Sequence, residues 1–262
     1  GTSEMTTGSS GTSDVTNAKP RVSKRHYLSA AQCRKRLWLE TFRSDLQTPA
    51  SSDVLFRQAQ GIEVGRLAQR LYPDGLLLSN EFDFETHLAR TWHALAGRRP
   101  LFEAAFATDD AYARADLLIP HGSKAWELIE VKSSTSVHQG KKAPNIATRY
   151  VDDMAFQTHV LRAAGVEIDA VTLMFIDSSY VRDGDTEPTR LFQTADATHE
   201  ADDAAMAVPR GIERAQVTTA SAEAPELAIG AHCKRPYECP FIAHCWVDVP
   251  DDSVHTLYRG GD

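Results

Sequence analysis

The sequence contains no apolar run approaching the ~20 residues that a helix needs to cross a bilayer, so no membrane-spanning segment is expected. The N-terminus lacks the hydrophobic segment of a secretory signal, and a cytoplasmic location is the default expectation. No internal repeat occurs, which excludes a solenoid. Basic charge is not in excess either. A net charge of −8 argues against a protein that coats nucleic acid without specificity, although one face can still be basic. Lys24–Arg25, Arg34–Lys35–Arg36, Arg98–Arg99 and Lys141–Lys142 are candidate patches, each equally readable as a solvated helix end or loop. Cysteine is scarce, and no Cys-x₂-Cys pair of the common zinc ribbons is present.

What remains is an ordinary globular composition, 42% hydrophobic and 24% charged over 262 residues, enough for one sizeable domain with an elaboration or two small ones. Residues 1–20 are rich in Gly, Ser and Thr and read as a disordered leader. The four cysteines are Cys33 near one end and Cys233, Cys239 and Cys245 near the other. In a cytosolic protein such a set points to metal rather than disulfides. Four thiolates suit a [4Fe–4S] cluster or a Cys₄ zinc site, and the Cys-x₅-Cys-x₅-Cys spacing favours iron–sulfur. Joining residue 33 to residues 233–245 would close a loop spanning most of the chain, a structural role in which metal binding contributes to folding.

The chemistry-bearing stretch lies at residues 112–132. YARADLLI and AWELIEVK read as strands, with Pro120–Ser123 as the turn between them. Period-two alternation puts Glu130 and Lys132 on one face and turns Val131 back to the core. Asp116 on the neighbouring strand can bring its carboxylate alongside Glu130. Two carboxylates and an ammonium suit metal-assisted phosphodiester cleavage, because Mg²⁺ and Mn²⁺ take hard oxygen ligands and a lysine can orient water or stabilise charge. The Val131 carbonyl is a plausible further ligand. The alternative is a solvated strand end carrying a Glu–Lys pair.

Around this hairpin the pattern predicts a helix opening at the Ser29–Gln32 capping box and running to about Phe42, with Cys33 in its first turn. A second helix is expected over Ser52–Tyr72, with Val54, Leu55, Ile62, Leu67 and Leu71 as its apolar residues and Glu63 facing either solvent or the site. A third helix covers Glu85–Leu95, and Leu101–Ala107 is the first strand of a three-strand meander. Residues 133–149 form a polar loop. A helix over Val151–Ala164 ends at Gly165, and Val171–Ile176 is a buried strand. Beyond it come a polar excursion, a short strand at Leu191–Gln193 and a helix ending near Gln216.

The D-x₁₃-E-V-K spacing on strands resembles the signature of the PD-(D/E)XK nuclease superfamily, whose shared core has this same order of elements. The resemblance implies an α/β, restriction-endonuclease-like core, a mixed central sheet flanked by helices, over residues 100–220. An N-terminal helical region over 21–99, a cluster segment over 221–250 and a tail over 251–262 complete the expected organisation. Gln157 falls where the RecB-like branch places a QxxxY motif, with Leu161 in place of the aromatic; the other reading is an exposed polar residue. One cysteine before the core and three after it resemble the iron–sulfur RecB-like nucleases, the AddB-type subunits and the exonucleases of CRISPR adaptation. YLSAAQCRKRLWLE, ELIEVKSSTSV, DDMAFQTHVLRAAG and HCKRPYECPFIAHCW resemble more closely a bacterial family of unknown function, over roughly residues 24–250.

By that resemblance Asp116 and Glu130 would hold Mg²⁺ or Mn²⁺, Lys132 would activate water, and the four cysteines would hold a [4Fe–4S] cluster. RecB-like families add a histidine ligand on an N-terminal helix. None stands near Gly61, so Glu63 substitutes or that ligand is absent, and Glu103 is a further candidate acid near the metal. The implied activity is exonuclease action on single-stranded DNA or DNA ends, with a helicase or DNA-processing protein as possible partner. Open alternatives are a structure-specific endonuclease, a catalytically weak nucleic-acid-binding module, and a zinc-clipped interaction protein.

Overall fold

The computed structural model describes residues 20–78, 83–138 and 145–250. The expected leader, apart from Pro20, and the expected tail lie outside the described residues, as does part of the loop after Lys132.

The strands are β1 (Val22–Ser23), β2 (Leu76–Leu77), β3 (Leu101–Ala107), β4 (Ala111–Pro120), β5 (Trp126–Lys132), β6 (Ile168–Ile176) and β7 (Phe192–Asp196). They form one seven-stranded mixed sheet in the order β2-β3-β4-β5-β6-β7, with β1 added in parallel against β4. The meander β3-β4-β5 is antiparallel, whereas β5 and β6 are parallel and joined by helix α5 (Thr148–Ala163). Helices, α4 (Phe84–Leu95) among them, lie against this sheet, and the architecture is a restriction-endonuclease-like core.

The larger hydrophobic cluster sits between the sheet and α5, with Leu128 and Leu173 facing Met154, Phe156 and Leu161. The Tyr27 ring of helix α1 (Lys24–Gln32) packs 4.9 Å from that of Phe156, which is fully buried. Phe156→Ala would remove this contact and leave a cavity, so a loss of about 3–5 kcal/mol is expected, measurable by urea denaturation. On the other side of Tyr27, α8 (Val208–Ala220) approaches so closely that a Cβ at Gly211 would fall 2.3 Å from the ring. Only glycine fits there.

Several elements differ from the sequence expectation. The helix expected to open at Ser29 is two helices, α1 and α2 (Arg34–Phe42), because Ser23 is the cap, accepting from the His26 N–H at 3.1 Å. Ser29 is buried inside α1 and donates its hydroxyl to Glu40 at 2.9 Å. Cys33 breaks the run in an extended conformation. Helix α3 (Ser52–Gln69) buries Val64 and Ala68, while the expected apolar positions Leu55 and Ile62 are exposed. The C-terminal excursion holds a helical turn, α6 (Pro188–Leu191), ahead of β7. The single helix expected after it is two, α7 (Thr198–Ala205) and α8, with Pro209 in the first turn of the second. No helix among the described residues is long and apolar enough to cross a membrane.

Candidate active site

The site is built on an interruption of the β-ladders. In the β3–β4 register Phe102 opposes Leu117 and Ala104 opposes Ala115, so Glu103 falls opposite Asp116, the one position missing from that run. Glu103 has φ +58, a left-handed conformation that costs a non-glycine residue energy and shifts the pleat by one. The side-chain pattern records the slip: Ala113, Ala115 and then Leu118 belong to the same core cluster. On its other edge β4 pairs with β1 at Ala111–Tyr112 and with β5 only from Leu117 onward. A gap opens between β1 and β5 beside Asp116.

Three carboxylates and two ammoniums fill this gap. Glu130, 1% exposed, points from β5 toward α5 and accepts from Lys132 Nζ, from Gln157 Nε2 and, at 3.2 Å, from Lys24 Nζ. Asp153 on α5 closes the cluster, 2.9 Å from Lys24 and 2.6 Å from Lys132. Asp116 Oδ2 accepts the Val131 N–H at 2.9 Å. Within a strand the N–H and C=O of one residue leave on the same side. The Val131 carbonyl therefore faces the β4 side too.

Burial raises the Glu130 carboxyl above its usual range, and the neighbouring Asp116 and Asp153 raise it further against the pull of Lys132 and Lys24. Burial likewise raises Asp116, opposed by the same two lysines. For Asp153, burial is outweighed by Lys24 and Lys132, which hold its carboxyl well below the ordinary value. Burial would lower both ammoniums, but the surrounding carboxylates hold Lys24 and Lys132 above the ordinary lysine value. With all five groups ionised the set carries one excess negative charge, three carboxylates against two ammoniums.

Gln157, buried on α5, spans Glu130 and Asp153, with Nε2 3.1 Å from Asp153 Oδ1. Its Oε1 is buried with no hydrogen-bond partner among the described residues. Such an orphan costs about 1–3 kcal/mol. The reversed amide would set its oxygen against two carboxylates, so the orientation follows from the charges. The reading of Gln157 as an exposed helix residue is thereby corrected: the helix turns it inward.

Asp116, Glu130, Val131 and Lys132 line a cleft of about 830 Å³ whose opposite wall is α3, presenting Gln58, Gly61, Gly65 and Arg66. Glu103 also lines it, its carboxylate 2.9 Å from Arg114 Nε and its carbonyl 3.0 Å from His87 Nε2. Glu63 is not brought to the site: its side chain is 62% exposed and pairs with Arg66. The sequence reading missed two members of the cluster. Asp153 had a signal in its i, i+4 spacing to Gln157 on one helix face, whereas Lys24 had none beyond membership of a basic pair.

Lys24 brings a second ammonium to the cluster. Lys24→Met would leave two excess negative charges, and an expected loss of about 2–3 kcal/mol follows, below the ~3–5 of a fully buried pair because Lys24 stays partly solvated. Added Mg²⁺ should raise the melting temperature of this variant more than that of wild type, since a divalent cation replaces the lost charge.

The four cysteines are free thiols that line one cavity, although among the described residues no three His, Cys, Asp or Glu side chains come close enough to hold a single ion. Cys33 sits at the α1–α2 break. The Cys239 N–H donates to the Cys233 carbonyl at 2.8 Å, and Cys245 closes helix α9 (Ile242–Cys245). Gln32 Nε2 donates to the carbonyls of His232 at 2.7 Å and Tyr237 at 2.8 Å, fastening this segment to α1. Burial raises the Cys239 and Cys245 thiols, and Arg36 and Lys35 respectively oppose it.

Among solved structures, a protein named SSO0001 is 16% identical, covers 91% of each chain and gives a TM-score of 0.44. An alkaline exonuclease from Laribacter hongkongensis is 12% identical over 76% of this chain and 91% of that one, with a TM-score of 0.35. No family model matches the sequence, and no curated protein matches it. At these values both neighbours are distant likenesses, and the chemistry has to be read from the residues.

Proposed function

We propose that the chain is a divalent-metal-dependent nuclease acting on single-stranded DNA or DNA ends. The observation that carries this reading is the meeting of Asp116, Glu130 and Lys132 at the gap between β1 and β5, on the wall of an open cleft. The donor set fits a hard cation: the buried Glu130 carboxylate, the half-buried Asp116 carboxylate, and the Val131 carbonyl facing the same side. Asp116, Glu130 and the Val131 carbonyl are the proposed ligands, with Glu103 within the same cleft and Glu63 outside it. When bound, Mg²⁺ or Mn²⁺ would neutralise charge at the phosphate and lower the pKa of a bound water.

The protein's own residues do the rest. Lys132, locked between Glu130 and Asp153, holds a full positive charge toward the attacked phosphorus and orients water. Gln157 fixes the Glu130 carboxylate by its second oxygen, and Asp153 pairs with both lysines. The four cysteines are the proposed ligands of a [4Fe–4S] cluster. Four sulfurs line one cavity, and their spacing in sequence lacks the Cys-x₂-Cys pair of the common zinc ribbons, which supports iron–sulfur over zinc.

Digestion of end-labelled linear and covalently closed circular single-stranded DNA with Mn²⁺ tests the activity. Loss of the linear strand with survival of the circle is the expected result. Nicking of the circle would make the enzyme an endonuclease, and inertness toward both would leave a binding module.

A further inference from the structure

A second hollow, of about 390 Å³, lies on the far side of the charged cluster and shares Lys24 and Asp153 with it. Its walls are one face of α1, the start of α5 and the turn at Pro236–Tyr237 between two of the cysteines. Leu28 and Ala31 make the floor apolar, and Tyr237 stands over it with 56% of its surface exposed. Tyr237 is not a loose surface ring, because Gln32 clamps its carbonyl and that of His232.

Charge around the hollow is asymmetric. Lys24, Arg25, Arg36 and Arg149 face it against Asp152 and Asp153, and Glu40 behind them pairs with Arg25 and Arg36. Lys24 is already shared between Glu130 and Asp153, so carboxylates engage three of these four cations. Arg149 is the fourth: it stacks on Tyr150 at 4.3 Å, donates to the Tyr150 hydroxyl at 3.1 Å, and has no carboxylate partner among the described residues. An apolar floor, an upright aromatic and an unneutralised guanidinium are what an unpaired nucleotide requires, a π-face for its base and a cation for its phosphate.

From this geometry we infer that the hollow is a nucleotide subsite, taking an unpaired base against Tyr237 and its phosphate at Arg149, next along the strand from the phosphate that is cut. The inference rests on the nuclease reading and deepens it. It gives the cysteine segment a task beyond tethering, since the segment supplies the stacking ring. It also gives a physical ground for preferring single strands, because a base held in a duplex cannot leave its stack without the cost of unpairing.

The test measures KM and kcat on a short oligo(dT), and on the same oligonucleotide with one abasic residue walked along it, for wild type, Tyr237→Ala, Tyr237→Phe and Arg149→Ala. Wild type should show one position, adjacent to the cut, where the abasic residue raises KM by roughly 5- to 100-fold, the worth of one base–aromatic stack. Tyr237→Ala should lose that much on the intact strand and show no further loss at that position, while Tyr237→Phe behaves as wild type. Arg149→Ala should weaken binding at every sequence and flatten the salt dependence. Unchanged KM in Tyr237→Ala, or equal losses on intact and abasic strands, would overturn the subsite while leaving the nuclease standing. A wild type that neither binds nor cuts single strands would overturn both.

Discussion

Glu130→Gln is expected to lower the cleavage rate by roughly a thousandfold or more while leaving the protein folded, because it removes a metal ligand without changing shape. The expected stability follows from counting charge and hydrogen bonds. Wild type sets Asp116, Glu130 and Asp153 against Lys24 and Lys132, and the glutamine brings the count to two against two. Both Glu130 oxygens accept hydrogen bonds, so the new amide sets its NH₂ against a donor, and the melting temperature without metal should fall modestly. Lys132→Met should be equally inactive but less stable, since it leaves three carboxylates facing Lys24 alone, and breaking a buried pair is costly. The two variants thus separate catalysis from folding: same activity, with the larger fall in melting temperature in Lys132→Met. The metal response should differ as well, with Mg²⁺ raising the melting temperature of Lys132→Met and not that of Glu130→Gln. Retained cleavage by Glu130→Gln would remove the metal assignment.

The hairpin carrying these residues was legible because its information is local. Alternation fixes which side Glu130 and Lys132 share, and Pro120–Ser123 fixes the turn. What the sequence hid is non-local. Lys24 opens α1 directly after β1, a two-residue strand too short to have a pattern, and it reaches Glu130 where β5 leaves that part of β4 uncovered. The conformation of Glu103 is set by the sheet around it rather than by a turn residue, so nothing in LFEAAFA announces it.

Helix α3 misled in the opposite sense. Leu55 and Ile62 look like a core stripe, yet the helix extends past the sheet to wall the cleft and leaves them in solvent. The break at Cys33 was hidden for a related reason. Helix propensity through SAAQCRKRLW is continuous, and the interruption makes sense only against the other three cysteines, about two hundred residues away in sequence.

Those cysteines give the second large effect. Cys239→Ala is expected to abolish the brown chromophore of a [4Fe–4S] protein and most of the soluble yield, because the segment has little else to hold it. Its own apolar contacts amount to Leu39, Cys239 and Phe241, with Trp38, Leu46, Ile242 and Cys245 at the margin. The remaining ties are single hydrogen bonds, such as the Thr48 N–H to the Pro240 carbonyl at 2.9 Å and the Trp38 indole to the Ser221 carbonyl at 3.0 Å. A structural metal site contributes on the order of 10 kcal/mol to folding in small zinc domains, more than such a cluster can replace. Phe241→Ala, with all four thiols kept, should cost about 3–5 kcal/mol and retain the colour, so packing and ligation can be told apart. Iron and acid-labile sulfide should be absent from Cys239→Ala. A brown, soluble Cys239→Ala protein would show that three cysteines suffice, and a colourless wild type containing one equivalent of zinc would replace the cluster with a Cys₄ ion site.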